Sequence, residues 1–273
     1  MNKRTSNLTR LDACIGLNNI DLIEVSDYFH KLTEDENIKK LDINYVENKL
    51  IEFYQKKDNY KKLKSYHCDL TTLRMLGLNN SNDFEMSVEF IKYIHEEIFK
   101  DIYDYAGNFR NINIRFDEKI LNFDTVKYAN YKMIKDSLAY DISLQKNVVI
   151  EELHVLEKLK NLVEFNANLW QVHPFMNGNT RTVATFMLMY LRSKNIGLDY
   201  FGFAHNSFYY RNALVRSNYF NKEKGVKRTD EFLIKFYENL ILSKIHPLRS
   251  SDLIVKQLWE GEVPIHMNKI KRP

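Results

Sequence analysis

Apolar residues recur at helical spacing along most of the chain and change rhythm at two places. In LDINYVENKLIEFYQKK, Val46, Leu50 and Phe53 share one helical face, so the polar segment from Asp21 to about Lys64 reads as helical. HCDLTTLRMLGLNNSND then reads as a turn-rich link. FEMSVEFIKYIHEEIFKDIYDY resumes the helical period through Val88, Ile91, Ile94 and Ile98, with an end expected near Tyr105 and Gly107. NFRNINIRF differs, because Phe109, Ile112, Ile114 and Phe116 come close to alternation, which predicts a short β-hairpin. Helices follow in TVKYANYKMIKDSLAYDI and in IEELHVLEKLKNLVEFNANLW, where Leu153, Leu156, Leu159, Leu162, Val163 and Leu169 form an apolar stripe. His154 and Trp170 read as packing residues of that helix. Thr229 reads as the N-cap of a last helix, DEFLIKFYENLI.

Eight glycines and four prolines in 273 residues favour long helices over many short strands, so the expected fold class is all-α. The predicted organisation is an N-terminal helical extension over 1–80, a core domain over 81–245 and a C-terminal extension over 246–273. With 40 basic against 36 acidic residues, the net charge of +4 gives no field that points to nucleic acid. NKEKGVKR and the tail HMNKIKRP read as a solvated loop and terminus. Two distant cysteines, Cys14 and Cys68, fit a reducing cytoplasmic setting, and no apolar run approaches a signal peptide or a membrane span. Richness in Asn, Lys and Ile is compatible with an AT-rich bacterial genome.

Chemistry concentrates in HPFMNGNTRT, residues 173–182. Pro174 disfavours the α conformation at His173, so the preceding helix should stop there and hand the imidazole to a loop. Gly178 permits left-handed backbone, and TRTVATFMLMYLR is apolar enough for a buried helix whose first-turn amides face the same loop. Arg181 sits in that first turn, where a cation is disfavoured unless an anion is bound. Two readings stand at this point: a site that handles a phosphorus-containing group, or a helix junction with a structural histidine.

HPFMNGNTR resembles the Fic-domain signature, His-x-Phe-x-(Asp/Glu)-Gly-Asn-Gly-Arg-x-x-Arg. HEEIFKDIYDYAGNFRNINI is similar to the family's helix, Ala-Gly-x-x-Arg turn and hairpin flap, and YYRNALVRSN to its later core helix. The resemblance spans roughly 87–242 and implies a Fic-type helical bundle and a protein adenylyltransferase, a nucleotidyltransferase that moves AMP from ATP to a Tyr, Ser or Thr hydroxyl of a target protein. It implies His173 as general base, Phe175 as the anchor of the loop, and Asn177, Gly178, Asn179, Thr180 and Arg181 as the nucleotide-binding and phosphate-binding residues. Arg110, Asn111, Ile112, Asn113 and Ile114 would form the flap that holds the target by strand pairing. ATP would be the substrate and Mg2+ the accompanying metal.

Three positions depart from the signature. Asn177 replaces the acidic residue and offers a metal only a neutral carbonyl, Thr180 replaces the second glycine, and Ala184 replaces the second arginine. These departures keep two alternatives open: another phosphate-transfer chemistry, or a degenerate nucleotide-binding protein. The family's inhibitory motif, (Ser/Thr)-x-x-x-Glu-(Gly/Asn), has near matches at SNDFEM and at IKFYEN with Glu238, and neither qualifies. No intramolecular inhibition of the usual kind is expected, which leaves room for a separate inhibitory partner.

Overall fold

The computed structural model describes residues 9–21, 24–33, 42–56 and 63–259. Within them run ten α-helices: α1 (Arg10–Asn18), α2 (Asp27–Thr33), α3 (Ile43–Tyr54), α4 (Leu63–Asn80), α5 (Val88–Phe99), α6 (Ile134–Lys146), α7 (Val155–Val172), α8 (Asn179–Ser193), α9 (Phe201–Asn218) and α10 (Glu231–Leu242). The tail HMNKIKRP lies outside the described residues. No strand ladder forms among them, so the all-α expectation holds.

The stretch read as a turn-rich link is α4, and its residues from Cys68 to Leu76 are all buried. A helix enclosed on every side has no polar face, and its sequence therefore lacks the amphipathic period that identifies surface helices. It packs on α1, α3, α5 and α8. Its polar residues find partners inside: Asp69 accepts from Ser26 N at 2.8 Å, Ser26 Oγ at 2.6 Å and the Tyr54 hydroxyl at 2.7 Å. Arg74 pairs with Glu47 at 2.6 Å. Removing one partner from such a buried set strands the other, which is the costly case.

Helix α1 is built into the same core. Thr9 and Asp12 form a reciprocal capping box at its start. The helix then lies so close to α9 that a Cβ at Gly16 would fall 2.0 Å from the carbonyl oxygen of Phe203. Only glycine fits that crossing.

Helix α5 buries Ile91, Ile94 and Ile98 as the spacing predicts, and Ser87 caps it through the Phe90 amide. It stops at Phe99, earlier than expected, because Lys100 turns extended and Asp101 left-handed at φ 63°. Helix α10 begins at Glu231 with Asp230 rather than Thr229 at the cap position, while Thr229 Oγ1 accepts from Glu231 N at 3.4 Å.

The hairpin is not observed. Residues 109–117 are an extended loop without a partner strand, and the only bridge nearby joins Glu118 to Asp124 around a 3-10 turn, Lys119–Leu121. The alternation that suggested pairing reports one-sided burial instead. Ile114, Phe116, Glu118 and Ile120 turn inward, whereas Asn113, Arg115, Asp117 and Lys119 are exposed. Backbone bonds from this segment go sideways: Arg110 N donates to Pro174 O at 2.9 Å and Ile120 O accepts from Val255 N at 2.9 Å.

Candidate phosphate-binding site

Helix α7 ends where Pro174 dictates. His173 closes it in a left-handed conformation at φ 49°, and Gly178, at φ 77°, opens α8. A Cβ on Gly178 would lie 2.4 Å from the Phe99 ring, so both backbone and space require glycine there. Between the two turns, Phe175 is fully buried and stacks on the imidazole of His95 at 3.7 Å.

His95, on α5, is the residue that ties the loop down, and the sequence reading did not single it out. The Gly107 amide donates to His95 Nδ1 at 2.9 Å, which makes Nδ1 an acceptor and places the ring proton on Nε2. That Nε2–H then donates to the carbonyl of Asn177 at 3.1 Å. Burial lowers the His95 pKa to about 4, and nearby Arg181 adds to the effect. The ring is neutral and serves as a two-ended link between the Gly107 turn and the motif loop.

His173 is held in the complementary tautomer. Its Nδ1 lies 3.1 Å from the carbonyl of Trp170, which can only accept, so Nδ1 carries the proton and Nε2 the lone pair. Tyr128 packs against the ring at 4.2 Å, with Trp170 at 5.0 Å and Phe116 at 5.5 Å. Burial lowers its pKa to about 3, reinforced by the charges of Arg211 and Arg110 and opposed by the Trp170 carbonyl.

Around His173 lies a cavity of about 190 Å3, lined by Ile20, Phe116, His173, Asn177, Gly178, Asn179, Thr180, Arg181 and Arg211. Small-molecule sites usually span about 300–1,000 Å3, so this space suits a chain of phosphates rather than a whole nucleotide. The first turn of α8 forms one wall, and the first amides of a helix have no intrahelical acceptor.

The motif side chains divide by task. Asn179 closes the loop on itself, accepting from Phe175 N at 2.9 Å and donating to Phe175 O at 2.8 Å. It therefore offers the cavity its backbone rather than its amide group. Thr180 Oγ1 accepts from Trp170 Nε1 at 2.9 Å. Arg181 packs over the Phe99 ring at 4.7 Å and donates to Asn18 Oδ1 at 2.9 Å. Asn18 ends α1 and also donates to Thr72 Oγ1 at 2.5 Å and Cys68 O at 3.2 Å, so an N-terminal helix bears directly on the motif arginine. The earlier near matches to an inhibitory motif do not play this part: Glu238 pairs with Lys244 at 2.6 Å, and Glu85 is exposed.

A protein-held Mg2+ does not fit these residues. Asn177 Oδ1, the one replacement ligand, accepts from Gly178 N at 2.8 Å, and no carboxylate lines the cavity. Among the described residues there is also no cluster of three or more His, Cys, Asp or Glu able to hold a metal.

The flap residues separate as well. Arg110 is buried, donating from Nε to His173 O at 2.8 Å and from Nη1 to Ile112 O at 2.7 Å. It anchors the loop under the histidine. Asn111, Ile112 and Asn113 are exposed and Ile114 is half-buried.

A neutral histidine with a defined lone pair, a helix N-terminus and two arginines around one cavity define a phosphate-binding helical domain. The comparisons name its class: residues 85–191 match the model of the Fic/DOC family. Over 118 residues the chain is 27% identical to protein adenylyltransferase VbhT of Bartonella schoenbuchensis, a match covering 42% of this chain and 23% of that protein. The chain thus spans under a quarter of the length of that curated relative. The crystal structure of the VirB-translocated effector BepC of Bartonella tribocorum, solved with bound AMPPNP, superposes at a TM-score of 0.52 with 17% identity, covering 68% of this chain and 89% of that one. The N-terminal Fic domain of a Bartonella effector protein from Bartonella sp. AR 15-3 gives a TM-score of 0.52 with 16% identity, over 66% and 82% of the two chains. These likenesses establish the Fic helical fold. Among the described residues no helix is long and apolar enough to cross a membrane.

Proposed function

We propose that this chain is a Fic-type protein adenylyltransferase, transferring AMP from ATP to a Tyr, Ser or Thr hydroxyl of a target protein. The observation that carries the reading is the shared cavity, in which the His173 imidazole, the N-terminus of α8 and Arg181 all meet. The adenylyltransferase VbhT and the AMPPNP-bound structure among the similar proteins support the same chemistry.

In this reading the target hydroxyl oxygen attacks the α-phosphorus while His173 Nε2 accepts its proton. The bond from the α-phosphorus to the bridging oxygen breaks, and pyrophosphate leaves with the electron pair. Charge gathering on the departing oxygens meets the amides of α8 and Arg181. An incoming polyphosphate also brings anions beside His173, which raises its pKa toward the range useful for a base. The exposed flap residues Asn111, Ile112 and Asn113 present the target segment. Intact-mass analysis of target proteins incubated with the chain and ATP tests this reading: one AMP should be added, and none by His173→Ala.

One observation favours a second reading, a nucleotide-binding protein without transfer. The position of the acidic residue is occupied by an asparagine whose oxygen is engaged by Gly178 N. A His173→Ala variant with undiminished effect in cells would select it.

A further inference from the structure

The cavity is lined by an arginine that lies outside the sequence motif. Arg211, on α9, shares the lining with Arg181 and His173. It is held in place by Glu118, whose side chain is 1% exposed, in a two-pronged ion pair with Nη2 to Oε1 at 2.7 Å. Glu118 in turn accepts from the Tyr128 hydroxyl at 3.3 Å, and Tyr128 packs on His173. The backbone of Glu118 also closes the base of the flap tip, donating to Asp124 O at 2.9 Å. A buried carboxylate with this partner set fixes the guanidinium rather than letting it swing.

The position where the family signature carries its second arginine cannot supply a cation here, since Ala184 is fully buried in the core. Asn177 offers no carboxylate to a metal. The lining therefore has two places at which negative charge can be met by a side chain, Arg181 and Arg211, together with the N-terminus of α8.

We infer that Arg211 is the second phosphate-binding cation of this site, and that Arg181 and Arg211 together hold the polyphosphate of a nucleotide without a protein-bound divalent ion. Glu118 is the positioning residue that aims Arg211. This assignment rests on the nucleotide reading proposed above and adds to it the residue that distinguishes a triphosphate from a monophosphate.

Calorimetric titration of the full chain with ATP and with AMP, each in EDTA and in Mg2+, tests it. Without divalent ion the chain should bind ATP at least about tenfold tighter than AMP, the range expected for a charge-assisted hydrogen bond. Arg211→Gln should abolish most of that ratio while leaving AMP binding in place. Arg211→Lys should keep part of it, and Glu118→Gln should lower it by a few-fold. Where Arg211→Gln fails to fold because Glu118 is left unpaired, the double variant Arg211→Gln with Glu118→Gln pairs two amides and is read by the same criterion. An unchanged ATP-to-AMP ratio in either folded variant overturns the role of Arg211 and leaves the nucleotide site standing. ATP binding only in Mg2+ overturns the metal-free cradle. Failure of the full chain to bind either nucleotide overturns the underlying reading and this inference with it.

Discussion

The motif loop and the flap face the same histidine, yet they are built on opposite principles. In the loop over 173–181 nearly every polar group has an assigned internal partner: His95 holds Asn177, Asn179 holds Phe175, Trp170 holds both His173 and Thr180. In the flap, only the ends are fixed. Arg110 clamps the near end to the His173 carbonyl, Glu118 closes the far end, and Asn111, Ile112 and Asn113 stay exposed between them. A site that must place atoms against a phosphorus centre needs the first arrangement, since small displacements cost rate steeply. A surface that must accept a target backbone needs the second.

The sharpest way to break the contrast is to remove the base. His173→Ala should lower AMP transfer by about 10²-fold or more, the typical contribution of general base catalysis, and leave nucleotide binding within a few-fold. Intact-mass kinetics beside titration reads both.

Acidification should act on the loop and spare the flap. Both His95 and His173 have folded-state pKa values depressed by burial, to about 4 and about 3, below the ordinary value of 6.5. The unfolded chain therefore binds more protons than the folded one between those limits, and stability falls as pH drops from about 6.5 toward 4. Each histidine contributes a slope of up to roughly 1.4 kcal/mol per pH unit. Thermal melts across that window should show the decline, and a chain carrying His95→Leu should show a shallower one.

His95→Leu itself strands the Gly107 amide and the Asn177 carbonyl. It should destabilise the fold by roughly 2 kcal/mol and weaken nucleotide binding although no part of residue 95 lines the cavity. Denaturant unfolding and titration on the same sample check this, and a loss of stability without loss of binding would mean the loop keeps its shape unaided.

The smallest effect on the fold belongs to the flap. Replacing Asn111, Ile112 and Asn113 together by alanine should change stability by about 0.5 kcal/mol or less, as exposed positions do, while raising KM for the target and leaving that for ATP unaltered. If ATP handling changed equally, the flap would be part of the cradle and the two regions would not differ as described.

Much of the motif loop was legible in the residues. Pro174 after His173, Gly178 before an apolar run and Arg181 in the first turn each act through local backbone sterics and helix-end electrostatics, which need no distant partner. The flap misled because alternation of apolar residues is produced equally by a hairpin and by a single extended segment lying on a core; Ile114, Phe116 and Ile120 face inward with no strand beside them. Helix α4 misled for the reverse reason. Its residues from Cys68 to Leu76 are enclosed on all sides, so no polar face marked it as a helix.

By itself the sequence determined the helical class, the break at His173 and the presence of a histidine, a glycine turn and an arginine in one loop. Tertiary structure decided what those groups can do. The charge state and tautomer of His173 come from burial and from the Trp170 carbonyl, and the shape of the loop from His95, 82 residues from the Asn177 it binds. The hold on Arg181 comes from Asn18, 163 residues away, and the second cation from a buried pair between Glu118 and Arg211. Local rules act over one turn of chain, whereas desolvation and ion pairing depend on which surfaces meet, and no spacing along the sequence encodes that meeting.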